Sequence, residues 1–378
     1  MFRELSAPIN IQWELTSWCN HNCVHCYNHW RSDSTAIIAS VDTDMLDAVE
    51  REIVSNKIFH ITLTGGEPLV VIRGVYTTLK RLHDAGVTFG MNSNLALLDD
   101  DLICLLKSLG IKSVLTSLMS ADQHINDEIA QRKGAFRRTT DGIKLAVKKG
   151  IGITVNMVVT KKNFHTIRET GVLAKELGAS MFCATKASAP ENCPDFSEFS
   201  IDSAQLSEMF RVLLSINASL GIRTDSLEHY PACIFPDQKT RTHFGSRNCT
   251  AGKTSCTIGF DGGIRPCSHA PMSYGNIKTD GIRQSWLGMA GWREGKLIPS
   301  YCRDICSESP NHCGGGCRVE SYRKNGKLDG DDPYCLHIKP VPKSKVHTRM
   351  NNVRGRLKIA NNVRFRAEDF GAIVFYNQ

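Results

Sequence analysis

The feature that most constrains this chain is a group of three cysteines close to its N-terminus. Cys19, Cys23 and Cys26 follow the spacing Cys-x3-Cys-x2-Cys. They come directly after an apolar run, residues 11–16, that predicts a β-strand. Three thiolates on one tight loop can hold three corners of a cubane 4Fe–4S cluster, which takes four cysteines when its ligand set is complete. The spacing therefore predicts a cluster with one open iron, whereas structural zinc, the alternative, normally binds four ligands.

The alternation of short apolar runs with longer amphipathic runs predicts the fold class. Between residue 11 and about residue 220, strands separated by helices indicate βαβ units and a parallel α/β sheet. The predicted strands are Ile11–Thr16, Phe59–Thr64, Thr88–Asn92, Ser113–Ser117, Ile153–Val159 and Met181–Thr185. The predicted helices are Asp44–Val54, Val75–Ala85, Asp99–Leu109, Gly142–Lys149, Thr166–Leu177 and Ser203–Leu220. In a parallel barrel the chemistry lies on loops that follow strands, as the three-cysteine loop does.

Length and composition indicate a globular chain with more than one domain. Its 378 residues exceed one ordinary core, and 41% hydrophobic and 22% charged residues fit a soluble protein. No stretch approaches the roughly 18 apolar residues of a membrane span, and the first strand leaves no room for a signal peptide. We therefore expect a cytoplasmic protein. In that compartment fifteen cysteines favour metal ligation over disulfides.

The cysteine loop, with Tyr27 directly after its last cysteine, resembles the signature loop of the radical SAM superfamily. That resemblance implies that the open iron chelates S-adenosylmethionine (SAM). It further implies that the reduced cluster cleaves SAM to a 5′-deoxyadenosyl radical, which abstracts a hydrogen atom. The six βα units resemble the partial (β/α)6 TIM-like barrel of the radical SAM core. We therefore expect an α/β fold of this kind with a Cys-rich, cluster-stabilised C-terminal extension.

A second motif follows the second predicted strand. Gly65-Gly66-Glu67-Pro68 matches the Gly-Gly-Glu-Pro turn of the radical SAM family. Glycines permit close approach of the backbone. In the family, carbonyl or carboxylate acceptors of this turn bind the methionine ammonium of SAM, so the resemblance implies the same role here.

Five further side chains resemble SAM contacts of the family. Ser93 and Asn94 lie after the third strand, in a segment that approaches the SAM ribose. Ser117, at the end of the fourth strand, lies where the family often places a hydroxyl for SAM. Arg132 resembles the arginine that pairs with the SAM carboxylate, and Asn156 on the fifth strand faces the pocket. Each is explained equally well as a cap, a turn residue or a solvated side chain.

Eight more cysteines lie between residues 249 and 335, in a segment rich in Gly and Pro with little periodicity. Such a segment packs no large apolar core and needs another support. The array resembles the SPASM extension of peptide-modifying radical SAM enzymes, although the gaps after Cys302 and Cys306 are each one residue longer than usual. By the family's interleaved arrangement, one auxiliary 4Fe–4S cluster is held by Cys249, Cys256, Cys267 and Cys317. The other is held by Cys302, Cys306, Cys313 and Cys335, with two or more zinc sites as the alternative.

The remaining cysteines have no partner spacing. These are Cys104, Cys183, Cys193 and Cys233. We expect Cys104 to be a core residue on a helix. We expect Cys183, on the sixth strand near the expected pocket, to pack in the core, and a functional role is the alternative. No catalytic residue is assigned, although His269 and Tyr274 are candidates for a general base by position alone.

Four segments are predicted along the chain. They are a radical SAM core over 1–225, a linker over 226–248, a SPASM domain over 249–340 and a basic tail over 341–378. The tail carries eight Lys and Arg residues and two acidic ones, so it supplies most of the formal charge of +8. That charge suits an acidic peptide or nucleic acid, but a solvated, mobile end is the commoner case. Residues 361–376 resemble the opening hairpin of a peptide-chaperone domain that binds precursor leader peptides.

The resemblance implies a peptide maturase, an oxidoreductase or lyase. It would abstract hydrogen from a residue of a ribosomally made precursor peptide and give a cross-link, an oxidative decarboxylation or a backbone excision. A sulfatase-type formylglycine-generating maturase is an alternative, but that family places an acid after the cysteine matching Cys267, where this chain has Ser268. A non-enzymatic metal or electron-transfer module is another. The expected partners are the precursor peptide, a separate leader-peptide-binding chaperone and a flavodoxin- or ferredoxin-like reductant, with no nucleic acid and no membrane.

Overall fold

A computed structural model describes most of the chain. It covers residues 4–28, 41–190, 193, 195–306, 313–338, 363–369 and 371–376. The strands are β1 Asn10–Glu14, β2 His60–Thr64, β3 Thr88–Asn92, β4 Ser113–Ser117, β5 Gly152–Val159, β6 Met181–Lys186, β7 Arg223–Asp225, β8 Ser255–Ile258, β9 Ile264–Arg265, β10 Val363–Glu368 and β11 Gly371–Tyr376. The helices are α1 Thr43–Ser55, α2 Ile72–Asp84, α3 Asp100–Ser108, α4 Gln123–Ala130, α5 Ala135–Lys148, α6 Ile167–Glu176, α7 Ser203–Leu220, α8 Gln238–Phe244, α9 Gly281–Gly288, α10 Ala290–Arg293, α11 Ser300–Asp304 and α12 Arg318–Asn325. None of these helices has both the length and the apolar character of a membrane span.

Nine strands form one sheet in the order β7-β6-β5-β4-β3-β2-β1-β8-β9. Every neighbouring pair from β7 to β8 is parallel. Helices return the chain between most of these strands, as the sequence predicts. The six predicted strands are β1 to β6, with ends that differ by no more than two residues. The parallel α/β fold class is therefore confirmed.

Helix starts were predictable where an aspartate caps the helix. The side chains of Asp42, Asp99 and Asp202 each accept a hydrogen bond from the backbone N–H three residues later. The sequence did not predict α4 or α8, and it placed the start of α5 at Gly142 instead of Ala135. A glycine lowers helix propensity, but here it is required, because a Cβ at Gly142 would lie 2.2 Å from the carbonyl oxygen of Leu95.

The Cys-rich extension adds two strands to the barrel sheet. β8 pairs in parallel with β1, from Asn10 opposite Ser255 to Trp13 opposite Ile258, and β9 returns antiparallel to β8. These strands have four and two residues, which is too short for a periodic pattern to reveal them. The extension therefore shares the core of the barrel at this edge, although its sequence predicts no large apolar core of its own.

A buried ion pair joins the extension to the first strand. Glu14 at the end of β1 pairs with Arg265 of β9, and both side chains are at most 3% exposed. Arg265 also donates to the carbonyl oxygens of Ser268 at 3.3 Å and Ala270 at 3.1 Å. Burial raises the pKa of Glu14 to about 7, although Arg265 opposes the rise. The pair thus anchors the segment that follows Cys267 onto the barrel.

The end of the basic tail does not form a solvated arm. β10 and β11 form the antiparallel hairpin that the sequence indicates, and its inner face packs beside the amino-terminal ends of β1 to β3. Arg366, 5% exposed, donates to the carbonyl oxygens of Ala7 at 2.6 Å and Pro8 at 2.8 Å. Phe375 stacks on Phe59 with ring centroids 5.3 Å apart. The expectation of a mobile end is therefore wrong for this hairpin, because Arg366 and Arg364, whose guanidinium donates to the carbonyl oxygen of Gly86 at 2.6 Å, satisfy carbonyl groups of the barrel. Residues 341–362, 370 and 377–378 of the tail lie outside the described residues.

Replacing Arg366 by alanine is expected to lower the free energy of unfolding. The change leaves Glu368 without its buried partner, and breaking such a pair costs roughly 3–5 kcal/mol. The midpoint of anaerobic urea unfolding, followed by tryptophan fluorescence, measures the effect. Arg211→Ala is the matched control, since Arg211 and Glu208 form an exposed pair for which about 0–1 kcal/mol is expected. Equal effects for the two variants would contradict a structural role for the hairpin.

Candidate active site

A cavity of about 580 Å³ lies at the carboxyl ends of the parallel strands. Its wall includes the last residues of four strands: Thr64, Asn92, Ser117 and Lys186. Six cysteines also line it: Cys19, Cys23, Cys26, Cys249, Cys267 and Cys317. The volume suits a cofactor-sized ligand. The wall of one cavity thus contains cysteines from the N-terminal loop and from the C-terminal extension.

The loop that carries the first three cysteines is held by α4. The backbone N–H groups of Asn22 and Val24 donate to the carbonyl oxygens of Ala130 at 3.1 Å and Ile129 at 3.0 Å. Within the loop, the N–H of Cys26 donates to the carbonyl oxygen of Cys23 at 3.1 Å. A backbone fixed in this way presents three thiols to one chamber. This donor set fits a cubane cluster that keeps one iron for another ligand.

The two glycines of the Gly-Gly-Glu-Pro turn are required by contact with the protein's own backbone. Gly65 has a φ of +122°, and a Cβ there would lie 2.6 Å from the carbonyl oxygen of Thr16. A Cβ at Gly66 would lie 1.8 Å from the carbonyl oxygen of Trp18. The N–H of Gly66 donates to Thr16 at 2.7 Å, and that of Glu67 to Trp18 at 2.8 Å. The turn therefore pairs directly with the segment that leads into the cysteine loop.

The carboxylate of Glu67 joins this turn to the end of β3. Its Oε1 accepts from the hydroxyl of Ser93 at 2.7 Å and from the N–H of Leu69 at 3.1 Å, and its Oε2 accepts from the N–H of Asn94 at 2.8 Å. Burial raises the pKa of Glu67 to about 6, and these hydrogen bonds limit the rise. Pro68, which is buried, begins a short helical turn directly after Glu67. The sequence predicts Glu67, Ser93 and Asn94 as separate contacts of SAM; the structure joins them in one network.

Four of the five softer predictions reach the cavity. Ser93 and Asn94 follow β3, Ser117 ends β4 and Asn156 lies within β5, and all four line the cavity. Arg132 does not line it and is exposed, in the turn between α4 and α5. Its position gives no support to a contact with the SAM carboxylate.

The first predicted set of auxiliary ligands contributes to the same cavity as the cysteine loop. Cys249, Cys267 and Cys317 line the cavity, and Cys256 is buried on β8. Burial raises the pKa of Cys267 to about 11 and that of Cys256 to about 12. Thiols buried in this way ionise when a metal provides the compensating charge. That these four thiols bind one cluster stays a prediction of the sequence. The second predicted set is absent from the cavity lining, and within it Cys302 and Cys313 are buried.

The family follows from comparison with known proteins. Residues 13–173 match the profile of the Radical SAM superfamily. The chain carries a radical SAM domain. The match begins in β1 and ends in α6, so it includes the cysteine loop and the Gly-Gly-Glu-Pro turn. Membership of the superfamily implies SAM and one 4Fe–4S cluster as cofactors.

Two curated relatives match nearly the whole of this radical SAM enzyme. It is 27% identical to the AdoMet-dependent heme synthase of Methanosarcina barkeri over 354 residues, 89% of this chain and 99% of that protein. It is 26% identical to the mycofactocin maturase MftC of Mycobacterium tuberculosis over 370 residues, 94% of this chain and 90% of that protein. The similarity therefore continues well beyond the radical SAM core.

The fold is also found in a solved structure. The crystal structure of SuiB from Streptococcus suis, bound to its precursor peptide SuiA, superposes with a TM-score of 0.66 at 16% identity. The superposition covers 87% of this chain and 76% of SuiB. The predicted partial barrel with a C-terminal extension is confirmed by this likeness, which concerns the fold alone.

A buried charge cluster that the sequence did not predict lies in the cavity wall of this radical SAM enzyme. The Nζ of Lys186 lies 3.0 Å from Glu228 Oε1 and 3.2 Å from Glu320 Oε2. Its ammonium also lies 5.2 Å from the ring centroid of Tyr334. Arg323 contacts the other oxygen of Glu320 at 3.4 Å. Lys186 and Glu228 line the cavity, so the cluster presents charge to whatever binds there.

Each charge in the cluster depends on its neighbours. Burial alone would lower the pKa of Lys186, but Glu228 and Glu320 raise it well above its ordinary value. Burial raises the pKa of Glu228, and Lys186 opposes the rise. Burial also favours the neutral form of Glu320, yet Lys186 and Arg323 lower its pKa overall. A lysine at the end of a barrel strand was the one signal in the sequence that could have indicated this cluster.

The remaining predictions have mixed outcomes. His269 lines the cavity, where it stacks on Tyr27 with centroids 3.7 Å apart, and burial lowers its pKa to about 3. Tyr274 does not line the cavity; its hydroxyl accepts a hydrogen bond from Trp292. Cys183 is buried in the sheet, as predicted. Cys104 lies on helix α3 as predicted but is exposed, because it is on the outer face of that helix.

Proposed function

We propose that this radical SAM enzyme modifies a residue of a ribosomally made precursor peptide. The observation that carries the proposal is a single chamber whose wall contains both the SAM-cluster loop and Cys249, Cys267 and Cys317. A substrate in that chamber would lie near both proposed metal centres. The similarity to a mycofactocin maturase, and a fold shared with an enzyme crystallised with its precursor peptide, support a peptide as substrate.

We further propose two auxiliary 4Fe–4S clusters. One would be held by Cys249, Cys256, Cys267 and Cys317. The other would be held by the second cysteine group, which comprises Cys302, Cys306, Cys313 and Cys335. With the SAM cluster, the loaded protein would contain about 12 irons per chain. When bound, SAM and its cluster supply hydrogen-atom abstraction. The cytoplasmic location, the flavodoxin- or ferredoxin-like reductant and the separate leader-binding chaperone rest on the sequence interpretation.

The chain's own residues would orient the peptide and exclude water. Glu67, Ser93 and Asn94 hold the turn that would face SAM, and Asn156 lines the same chamber. Lys186 and Glu228 form a wall of paired charges that a polar peptide group can contact without either charge being left alone. His269 is held neutral by burial, so it offers a proton acceptor at the cavity surface.

A heme-related substrate is the second candidate. It is favoured by the similarity to an AdoMet-dependent heme synthase, whose full length is nearly covered. The sulfatase-type alternative has less support, since Ser268 and not an acid follows Cys267. The two leading candidates differ in substrate size and chemistry, so one set of assays separates them.

Anaerobic co-expression with a small peptide encoded beside this gene is expected to change the mass of that peptide. Loss of two hydrogens would indicate a cross-link, and loss of a larger fragment would indicate decarboxylation or excision. Cys23→Ala co-expressed with the same peptide is the control and should leave its mass unchanged. In parallel, the purified enzyme is incubated with SAM, a reductant and a heme precursor. Heme formation without any change in the peptide would overturn the peptide proposal in favour of the second candidate.

A further inference from the structure

A cysteine with no assigned partner lies against the second cysteine group. Cys233 belongs to the predicted linker, in a short helical turn over Ala232–Ile234 that follows Pro231. Its Sγ lies 3.8 Å from the Sγ of Cys335. Nothing in the spacing of the sequence connects these two residues, which are 102 positions apart. The group therefore contains five thiols, where a cubane cluster takes four.

Backbone donors attach this part of the linker to the same group. The N–H of Leu336 donates to Cys233 Sγ at 3.2 Å, and the N–H of Ala232 donates to Cys313 Sγ at 3.1 Å. N–H groups directed at sulfur are a common feature of iron–sulfur sites, where they tune the cluster. The linker thus supplies both a thiol and a hydrogen bond of the kind that surrounds a ligated sulfur.

The five thiols are not equivalent. Cys302 and Cys313 are 4% and 7% exposed, and Cys335 Sγ accepts hydrogen bonds from the thiols of both Cys233 and Cys302. Cys306 is half-buried, and its backbone N–H donates to the carbonyl oxygen of Tyr301 at 3.1 Å. The chain on both sides of Cys306 is also one residue longer than the SPASM pattern, which displaces that cysteine along the sequence. Cys306 is therefore the weakest candidate among the five.

We propose that Cys233 is a ligand of the second auxiliary cluster, in the place that the family resemblance assigns to Cys306. The ligand set is then Cys233, Cys302, Cys313 and Cys335, with each thiol losing its proton when the cluster binds. This inference rests on the proposed function, which places a metal centre at this group. If Cys233 is a ligand, the linker is attached to the cluster. Residues 228 and 229 of the cavity wall, which lie shortly before Cys233 in the chain, would then be held in position by the cluster.

The test isolates the auxiliary clusters in a full-length background in which Cys19, Cys23 and Cys26 are alanine. Iron and sulfide per chain, and the EPR spectrum after dithionite reduction, are compared after Cys233→Ser, Cys306→Ser and Cys302→Ser. Cys233→Ser is expected to lose about four irons or to change the EPR spectrum, as Cys302→Ser should. Cys306→Ser is expected to leave all three quantities unchanged. Loss of the cluster in Cys306→Ser, or no change in Cys233→Ser, would overturn the proposal.

A second measurement needs no substitution and so is independent of misfolded variants. The loaded wild-type protein is treated anaerobically with iodoacetamide and each cysteine is scored by mass spectrometry. Cys306 and the exposed Cys104 are expected to be alkylated, and Cys233 to be protected until a chelator removes the metal. Alkylation of Cys233 in the loaded protein would count against ligation. Zinc without sulfide in the wild-type protein would refute the auxiliary cluster of the proposed function. Protection of Cys233 in that zinc-loaded protein would still indicate that Cys233 binds the metal.

Discussion

Replacing Cys23 by alanine is expected to abolish the formation of 5′-deoxyadenosine from SAM. The loop offers three thiols to the cluster, and removing the central one leaves two, which is too few to retain it. Even changes in residues around metal ligands alter affinity or activity by about 10–100-fold, so the loss of a ligand should exceed about 100-fold. Chromatography of the products after anaerobic incubation with SAM and dithionite measures the yield.

The matched control for Cys23→Ala is Cys104→Ala. Cys104 is a free, exposed cysteine on α3, outside the cavity and both cysteine groups, so its loss is expected to leave SAM cleavage unchanged. Iron analysis of both proteins should show a loss of about four irons in the first variant alone. Deoxyadenosine formation at the wild-type rate by Cys23→Ala would refute the assignment of this loop to the SAM cluster.

Replacing Lys186 by methionine is expected to lower the free energy of unfolding by roughly 3–5 kcal/mol. Methionine preserves most of the apolar stem, but it leaves Glu228 without its counter-charge and Glu320 with Arg323 alone. Breaking a buried pair has this large effect because one charge remains buried and uncompensated. The midpoint of anaerobic urea unfolding at pH 8 is the measurement.

The destabilisation in Lys186→Met should depend on pH. Without the ammonium, the pKa of Glu228 rises further above its unfolded value, because burial and the carboxylates of Glu320 and Asp332 then raise it without that opposing charge. A carboxyl with a raised folded pKa stabilises the protein when protonated, and this contribution is lost as the pH rises through the folded pKa. The deficit relative to wild type is therefore expected to be smaller at pH 5 than at pH 8.

Two further variants separate the buried charge from general damage to the fold. Lys186→Met combined with Glu228→Gln should recover part of the lost stability, since the uncompensated carboxylate is removed. Lys162→Met, which breaks a more exposed pair with Glu128, should change stability by about 0–1 kcal/mol. A double variant less stable than Lys186→Met alone, with no dependence on pH, would contradict the role given to this cluster.

The sequence by itself determined the strands of the barrel and the two local motifs at their carboxyl ends. The six strands and the turn at residues 65–68 were predictable because each is a local pattern, a few residues long, whose geometry depends on neighbours in the chain. The same is true of the cysteine loop, since three ligands within eight residues cannot lie far apart. A motif whose geometry depends only on neighbouring residues can therefore be recognised directly in the sequence.

Only the tertiary structure decided which distant groups meet. Lys186, Glu228 and Glu320 come from β6, the linker and α12, and no spacing in the sequence relates them. Cys233 and Cys335 meet in the same way, as do Arg366 and the N-terminal segment. Arg132 and Cys104 show the converse, because a suitable residue at a suitable position along the chain lies on the outside of the fold. Contacts between distant segments depend on how the whole chain packs, and a pattern read along one strand or loop carries no information about that packing.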